Sequence, residues 1–324
     1  MDARPGSYMR GIDRRDPELA SIAAIAYHLG ALKRIDEIDF LREDPQKLAL
    51  YRLSGFDRYA ESDLSMRELA YRSAAQTLEA GGVAPGDIGI CLYVAESADR
   101  DEPVNSAQVN RLLLDLGLTR AMPIHVSAAN CANIMSALRV AAAFVAAGEA
   151  QHVLIVSVDK ASRRPGGRKM FNEMTIKSDV SLSCLVSVPG AGAYGIAYLR
   201  QGNCAELIDA DAMESKAYAM AKFNDIRHTA KRAREALDLG PADFARIVTN
   251  NYGRAVTKMF IELCGFQPDA GCFANIGRFA HAVAGDVLIN LQDLETEGAI
   301  GPGDRVFLMA DSITSSAVMC LRKR

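Results

Sequence analysis

Three residues, far apart in the chain, carry the side chains from which a nucleophile, its base and an orienting amide could be assembled: Cys131, His281 and Asn250. Cys131 lies in the stretch Pro123 to Gly148, PIHVSAANCANIMSALRVAAAFVAAG. Its pattern predicts a strand over Pro123 to Ala128, a turn through Asn130, and a helix that opens at Cys131. From Cys131 to Gly148 the only charged residue is Arg139, and a helix apolar on nearly all sides belongs in the middle of a large protein. A thiol at the head of such a helix meets unpaired N–H groups and the positive end of the dipole. That position favours the thiolate, and the same amides can hold an oxyanion. A free cysteine is also an ordinary small hydrophobe; the strand–turn–helix placement is what favours a nucleophile. The Asn250-Asn251 pair in VTNNYGR follows a strand ending at Thr249, where asparagine also serves as a plain cap or turn residue. Of the five histidines, 28, 125 and 152 fall in strands or at a strand edge and 228 on a charged helix. His281, in RFAHAVAGDVLINL, is therefore the base candidate, with an ordinary packed or capping histidine as its other reading.

The elements that must bring these residues together alternate along the chain. Ser21 to Tyr27 reads as a buried strand. A helix follows with Ser62 or Ser65 as its cap, the latter with Glu68 at the capping-box spacing, an apolar stripe of Met66, Leu69, Ala70, Ala74 and Leu78, and a stop at Gly81-Gly82. Ile88 to Val94 is a strand, Val104 to Leu116 a helix, and His152 to Val158 a continuous apolar strand. Residues 160–178 form a basic, glycine-containing loop, and Ser181 to Val188 with Ala193 to Leu199 read as two paired strands. The second half gives helices over Glu214 to Leu237, Arg254 to Leu263 and Ala282 to Leu294, and strands over Arg246 to Thr249, Arg305 to Ala310 and Ser316 to Leu321. Helices alternating twice with fully apolar strands imply sheets covered on both faces, hence stacked α/β layers.

Composition narrows the function classes. The chain has 324 residues, 49% hydrophobic and 24% charged, with a net charge of −3 and no Trp. That balance offers no bulk attraction to nucleic acid or an anionic membrane. Seven cysteines, at 91, 131, 184, 204, 264, 272 and 320, form no CxxC, so a disulfide framework and a metal site are not expected, and a reduced, cytoplasmic setting is. Leu19 to Leu32 is apolar and follows several arginines, but Asp2, Asp13, Asp16 and Glu18 dilute the basic segment; it reads as a buried first strand after a polar arm, residues 1–18. No apolar run approaches a membrane span.

The arrangement of these segments resembles the thiolase superfamily, in its ketoacyl-acyl-carrier-protein synthase III branch, from about Ser21 to the C-terminus. SAANCANIMSALRVA is similar to the nucleophile segment, with Cys131 at the cysteine. SVDKASR at 157–163 and KSDVSLSCLVS at 177–187 resemble the strand and acidic turn that follow it. VTNNYGRAV stands at the place of the branch's Pro-His-x-x-Asn motif, and RFAHAVAGDVLINL at that of its Gly-Asn-x-Ser segment. The chain departs from the branch there: Asn250 stands where it has His, and His281 where it has Asn. Thiolases carry Asn and His in that order. The second thiolase cysteine has no counterpart in Ala310-Asp311-Ser312-Ile313-Thr314, where Ser312 and Ile313 also replace the branch's glycine-rich oxyanion loop.

The resemblance implies an α/β fold of five layers, αβαβα, in two pseudo-repeated halves: 1–190 with the nucleophile and 191–324 with Asn250 and His281. It implies an acyltransferase that loads an acyl group from an acyl-carrier-protein or coenzyme A thioester onto Cys131 and passes it to an acceptor. That acceptor is a malonyl-type thioester or an alcohol or amine, in fatty-acid or secondary-metabolite biosynthesis. It implies backbone amides at Cys131, Ser312 and Ile313 for the oxyanion and no tightly bound cofactor beyond the phosphopantetheine arm of the substrate. Arg163, Arg164, Arg168, Lys222 and Arg254 are expected at the carrier or coenzyme A entrance. A homodimer is implied through the strand before the nucleophile, with Glu96 to Gln108 at the interface. The altered loop keeps open a catalytically inactive partner subunit that binds a carrier protein or another synthase.

Overall fold

A computed structural model of the chain describes residues 18–96, 104–170, 174–208 and 216–324. Its strands are β1 (Ala20–Leu29), β2 (Ala31–Arg34), β3 (Arg58–Glu61), β4 (Ile88–Val94), β5 (Met122–Val126), β6 (His152–Asp159), β7 (Lys169–Met170), β8 (Thr175–Ile176), β9 (Val180–Ser187), β10 (Tyr194–Asn203), β11 (Arg246–Thr249), β12 (Arg305–Asp311) and β13 (Ser315–Lys323). Its helices are α1 (Asp39–Arg42), α2 (Pro45–Leu53), α3 (Met66–Gly81), α4 (Ser106–Asp115), α5 (Asn133–Ala146), α6 (Lys216–Leu237), α7 (Arg254–Leu263), α8 (Ala274–Phe279) and α9 (Asp286–Thr296).

Nine strands form one hydrogen-bonded order, β11-β12-β13-β10-β1-β9-β6-β4-β5. β1 stitches its two parts together. Ala20 to Ile22 pair with β10 on one side, and Ser21 to Leu29 run along β9 on the other, with a register shift between Ile22 and Ala24. The expected pairing of the strands around 181–188 and 193–199 with each other is therefore corrected: β1 lies between β9 and β10. The turn joining them crosses the β1 backbone so closely that a Cβ on Gly192 would lie 2.5 Å from the Ile22 carbonyl oxygen.

Burial explains the layering. Every residue of β9 is buried, as a strand covered on both faces must be. α3 and α4 pack one outer face against β4 and β6, and α6 and α7 pack the opposite outer face against β12 and β13. α5 and α9 lie in the middle, in one core with β1, β4, β6, β9, β12 and β13. The result is the αβαβα order expected from the resemblance. The capping box of α3 is present: Ser65 Oγ accepts the Glu68 N–H, the Ser65 N–H donates to the Glu68 carboxylate, and Gly82 ends the helix at φ 62°.

Two helix starts differ from the sequence pattern. Cys131 lies in a 3-10 turn, Asn130–Ala132, and α5 begins only at Asn133. α9 begins at Asp286 after a second 3-10 turn, Val283–Gly285. Side chains make the difference in both places: Asn133 Oδ1 accepts the Ala129 N–H at 2.8 Å, and Asp286 Oδ1 accepts the Ala282 N–H at 2.7 Å, so each turn is wound onto the helix that follows. The polar arm up to residue 17, positions 97–103 of the expected interface segment, 171–173 of the basic loop and the start of the helix expected from Glu214 lie outside the described residues. No described helix is long and apolar enough to cross a membrane.

Candidate active site

The structure brings Cys131 and His281 together. Cys131 Sγ is 3.1 Å from His281 Nε2, and both residues are fully buried. The parallel pairing of β4 with β5 delivers the cysteine at the carboxyl ends of these strands, where Val94 lies opposite Val126. The histidine loop is sewn to the segment after β8: the His281 N–H donates to Ile176 O (3.0 Å) and its carbonyl accepts from the Ser178 N–H (2.9 Å). Four of the five non-glycine residues with positive φ among the described residues flank this pair: Ala128 (74°), Asn130 (48°), Ala280 (60°) and Val283 (51°). Such residues cost roughly 1–3 kcal/mol each and concentrate where a site is held in place by its surroundings.

A third member, Asp286, went unnoticed in the sequence. Its Oδ2 accepts from His281 Nδ1 in a short contact and from the Asn251 N–H at 2.7 Å; its Oδ1 accepts from Asn251 Nδ2 at 3.1 Å and from the Ala282 N–H. A carboxylate facing Nδ1 fixes the proton there and leaves the Nε2 lone pair toward the thiol. The signal was present in the sequence as an acid at the head of a largely apolar stretch, five residues after His281. One turn on, Asn290 Nδ2 donates to Asn251 Oδ1 at 2.9 Å. Asp286 and Asn290 thus occupy both ends of the Asn251 carboxamide.

Asn250 is different. Its Oδ1 accepts the Asp311 N–H at 2.8 Å, which fixes the orientation of the amide, and its Nδ2 is buried with no hydrogen-bond partner. Glu96, just after β4, is another case: its backbone N–H is held by Asp159 Oδ1 at 3.1 Å, while its Oε2 is buried with no hydrogen-bond partner among the described residues. Tyr252 closes the site, its ring centroid 5.3 Å from that of His281 and its hydroxyl donating to Asp311 O at 2.8 Å.

The thiol does not rest as an anion. Burial pushes Cys131 well above the ordinary thiol value; the Glu96, Asp286 and Asp159 carboxylates push it further and Lys177 opposes them. This corrects the expectation of a helix-activated thiolate: the sulfur sits in the 3-10 turn before the helix, among carboxylates, so desolvation wins over the dipole. Burial likewise raises Tyr252 well above its usual value, with Cys131 and nearby carboxylates adding to it, so the phenol stays neutral.

Two further expectations change. The loop at 311–314 is a tight hairpin in which the Ser312 N–H donates to Ser315 O at 2.8 Å, so the Ser312 amide is not open to an oxyanion. Ile313 is half-buried, and its carbonyl accepts from Tyr218 Oη at 3.2 Å. Two of the five basic residues expected at the entrance are interior. Arg168 is 8% exposed and paired with Asp179 (3.2 Å) and Glu61 (3.0 Å). Lys222 is 4% exposed and paired with Asp311 at 2.7 Å. Arg163, Arg164 and Arg254 are exposed, Arg163 in a 2.9 Å pair with Glu61. No group of side chains able to hold a metal occurs among the described residues.

Residues 127–187, which include Cys131, match the family model for 3-oxoacyl-[acyl-carrier-protein] synthase III. Beta-ketoacyl-[acyl-carrier-protein] synthase III 2 of Streptomyces avermitilis is 25% identical over 259 residues, 77% of this chain and 81% of that protein. The synthase III of Yersinia pestis is 31% identical over 106 residues, about a third of each chain (33% and 32%). Among solved structures, the acyltransferase ChlB3 superposes with a TM-score of 0.81 at 16% identity, covering 95% of this chain and 98% of that one. The synthase III of Aquifex aeolicus gives 0.77 at 14% identity, covering 94% and 99%. The layers are those of these solved structures, and the segment around Cys131 is similar to that of 3-oxoacyl-[acyl-carrier-protein] synthase III, so the chain is synthase III-like.

Proposed function

We propose that the protein is an acyltransferase in which Cys131 takes an acyl group from an acyl-carrier-protein or coenzyme A thioester and passes it to an acceptor. The observation that carries this reading is the contact of Cys131 Sγ with a histidine whose other nitrogen is held by a buried carboxylate. Because the thiol is neutral at rest, its proton moves to His281 Nε2 as the sulfur attacks the thioester carbonyl. Asp286 orients the ring and stabilises the imidazolium. The open Asn250 Nδ2–H and the Cys131 N–H are the donors for the oxyanion, about 3–4 kcal/mol for each well-placed one. The imidazolium then protonates the departing pantetheine thiol, and the acyl group rests on the sulfur.

Arg163, Arg164 and Arg254 give the surface exposed positive charge that would steer an acidic carrier or the phosphates of coenzyme A. The strand before the nucleophile, β5, is the open edge of the sheet, with Met122 48% exposed. An unpaired edge of this kind favours continuation into a second copy, hence a homodimer.

A second reading, a non-catalytic partner of another synthase, is favoured by the complete burial of Cys131 and by the committed Ser312 amide. One experiment separates them. Incubation with acyl-coenzyme A and acyl-carrier thioesters followed by intact mass measurement is expected to show an acyl adduct that Cys131→Ala abolishes. No adduct across short, medium and long acyl chains supports the partner reading instead.

A further inference from the structure

We infer that the acceptor is a hydroxyl- or amine-bearing nucleophile, held through Glu96 and deprotonated by His281, and not a malonyl-type thioester. This rests on the acyl-transfer reading above and names the substrate class of its second step.

The first observation is the proton inventory of the histidine. Asp286 holds the Nδ1 proton and Nε2 presents its lone pair to the sulfur. Once the departing thiol has taken the proton, Nε2 is again a free base beside the acyl-sulfur bond. An O–H or N–H nucleophile needs a base there. A decarboxylating malonyl group needs only an N–H donor for its developing enolate oxygen, such as the open Asn250 Nδ2–H, and no base, since loss of carbon dioxide itself makes the carbanion; the base at Nε2 serves only the O–H or N–H nucleophile.

The second observation is electrostatic and adds Glu96, Asp159 and Lys177 to Asp286. Glu96, Asp286 and Asp159 all present carboxylates to the buried sulfur region, against Lys177. A malonyl carboxylate brought among them meets like charge in a desolvated space, where such repulsion is strongest. Glu96 Oε2, buried and without a donor among the described residues, is suited to the opposite kind of ligand, one that brings a hydroxyl or ammonium hydrogen. Glu96 and the turn carrying Cys131 follow neighbouring parallel strands at the same end of the sheet, so a donor held by the first lies close to the acyl group on the second.

The step balances. The acceptor oxygen or nitrogen bonds to the acyl carbon as its proton passes to His281 Nε2. The carbon–sulfur bond breaks, and the Cys131 sulfur takes the proton back. The products are an ester or amide and the free enzyme.

The test uses the full chain, acylated with acetyl-, hexanoyl- or palmitoyl-coenzyme A and freed of excess thioester. The adduct is divided among buffer, malonyl-coenzyme A, alcohol probes (benzyl alcohol, glycerol, glucose) and amine probes (benzylamine, butylamine), and followed by intact mass with product analysis. Discharge by an alcohol or an amine at least tenfold faster than buffer is expected, and which set works tells oxygen from nitrogen acceptors. Glu96→Gln should raise the acceptor concentration for half-maximal discharge about tenfold, as loss of one charge-assisted hydrogen bond does, with a smaller effect on the maximal rate. An adduct that leaves only on malonyl-coenzyme A with release of carbon dioxide overturns the assignment while the acyl-transfer reading stands. So does an adduct that no hydroxyl or amine probe discharges faster than buffer. Failure to form any adduct removes both.

Discussion

Two buried clusters of charged and polar side chains lie in the first-half layers and at the central helices, and they are built on opposite rules. Around Arg168 every requirement is met. Its guanidinium donates to Ala60 O, Lys177 O, Asp179 and Glu61, and stacks over the Tyr59 ring at 4.6 Å. Asp179 in turn accepts the Ser62 and Ala161 N–H groups, each at 2.9 Å. Around Cys131 the network stops short. Asn250 Nδ2, Asn133 Nδ2 and Glu96 Oε2 are buried without partners among the described residues, and left-handed backbone brackets the cysteine and the histidine. A satisfied cluster rigidifies a fold, whereas unsatisfied donors and acceptors held in strained turns are tolerated where a ligand completes them. The same contrast separates two neighbours: the Asn251 carboxamide is bonded at both ends, and that of Asn250 at one.

The comparison can be broken most decisively from the satisfied side. Arg168→Met leaves Asp179 buried without its cation and should cost about 3–5 kcal/mol of stability, read as a lowered denaturation midpoint. A variant that keeps wild-type stability would show the cluster to be dispensable. On the unsatisfied side, Asp286→Asn should slow acylation of Cys131 by roughly 10²–10⁴-fold, because the imidazole loses its orienting anion. Stopped-flow or quenched intact-mass kinetics measure it, and a rate within twofold of wild type would remove Asp286 from the chemistry.

Alkaline pH probes the interior as a whole. Burial raises the thiols of Cys91 and Cys184 to about 12 each, and that of Cys264 to about 12 with Asp311 adding and Arg234 opposing. A folded-state pKa above the unfolded one means that the folded protein holds its protons longer. The stability these groups contribute is complete below the unfolded thiol value and is lost as pH rises from there toward 12. The expected loss is about 1.4 kcal/mol per pH unit for each thiol above pH 9, seen as a falling denaturation midpoint. Cys131 follows the same sign, so alkylation by iodoacetamide should keep rising with pH beyond the ordinary thiol range without a plateau near 8. The smallest effect is expected at the surface. Arg163→Ala with Arg254→Ala should weaken use of an acidic carrier a fewfold at low salt and not at high salt, since exposed charges act mainly through screened steering.

Much of this was legible in the chain. β6 and β12 are largely apolar runs of the kind a doubly covered sheet accommodates, and the α3 cap is written in Ser65 and Glu68. Cys131 and His281 were found because cysteine and histidine are few enough to be sorted by their surroundings. Asp286 was missed because an acid at a helix start reads as an ordinary first-turn residue; that it faces the His281 ring is set by the turn between them, and its other partner, Asn251, arrives from another loop. Arg168 and Lys222 were misjudged because a basic residue in a loop or on a polar helix reads as solvated until its acid is known.

The sequence by itself determined the layers and the order of the elements, because apolar periodicity and caps act over a few residues. Whether the thiol is charged, which asparagine keeps a free hydrogen and which arginine faces water were decided only by the tertiary structure. Those properties depend on desolvation and on partners carried by other elements, up to 150 residues away, which no local pattern encodes.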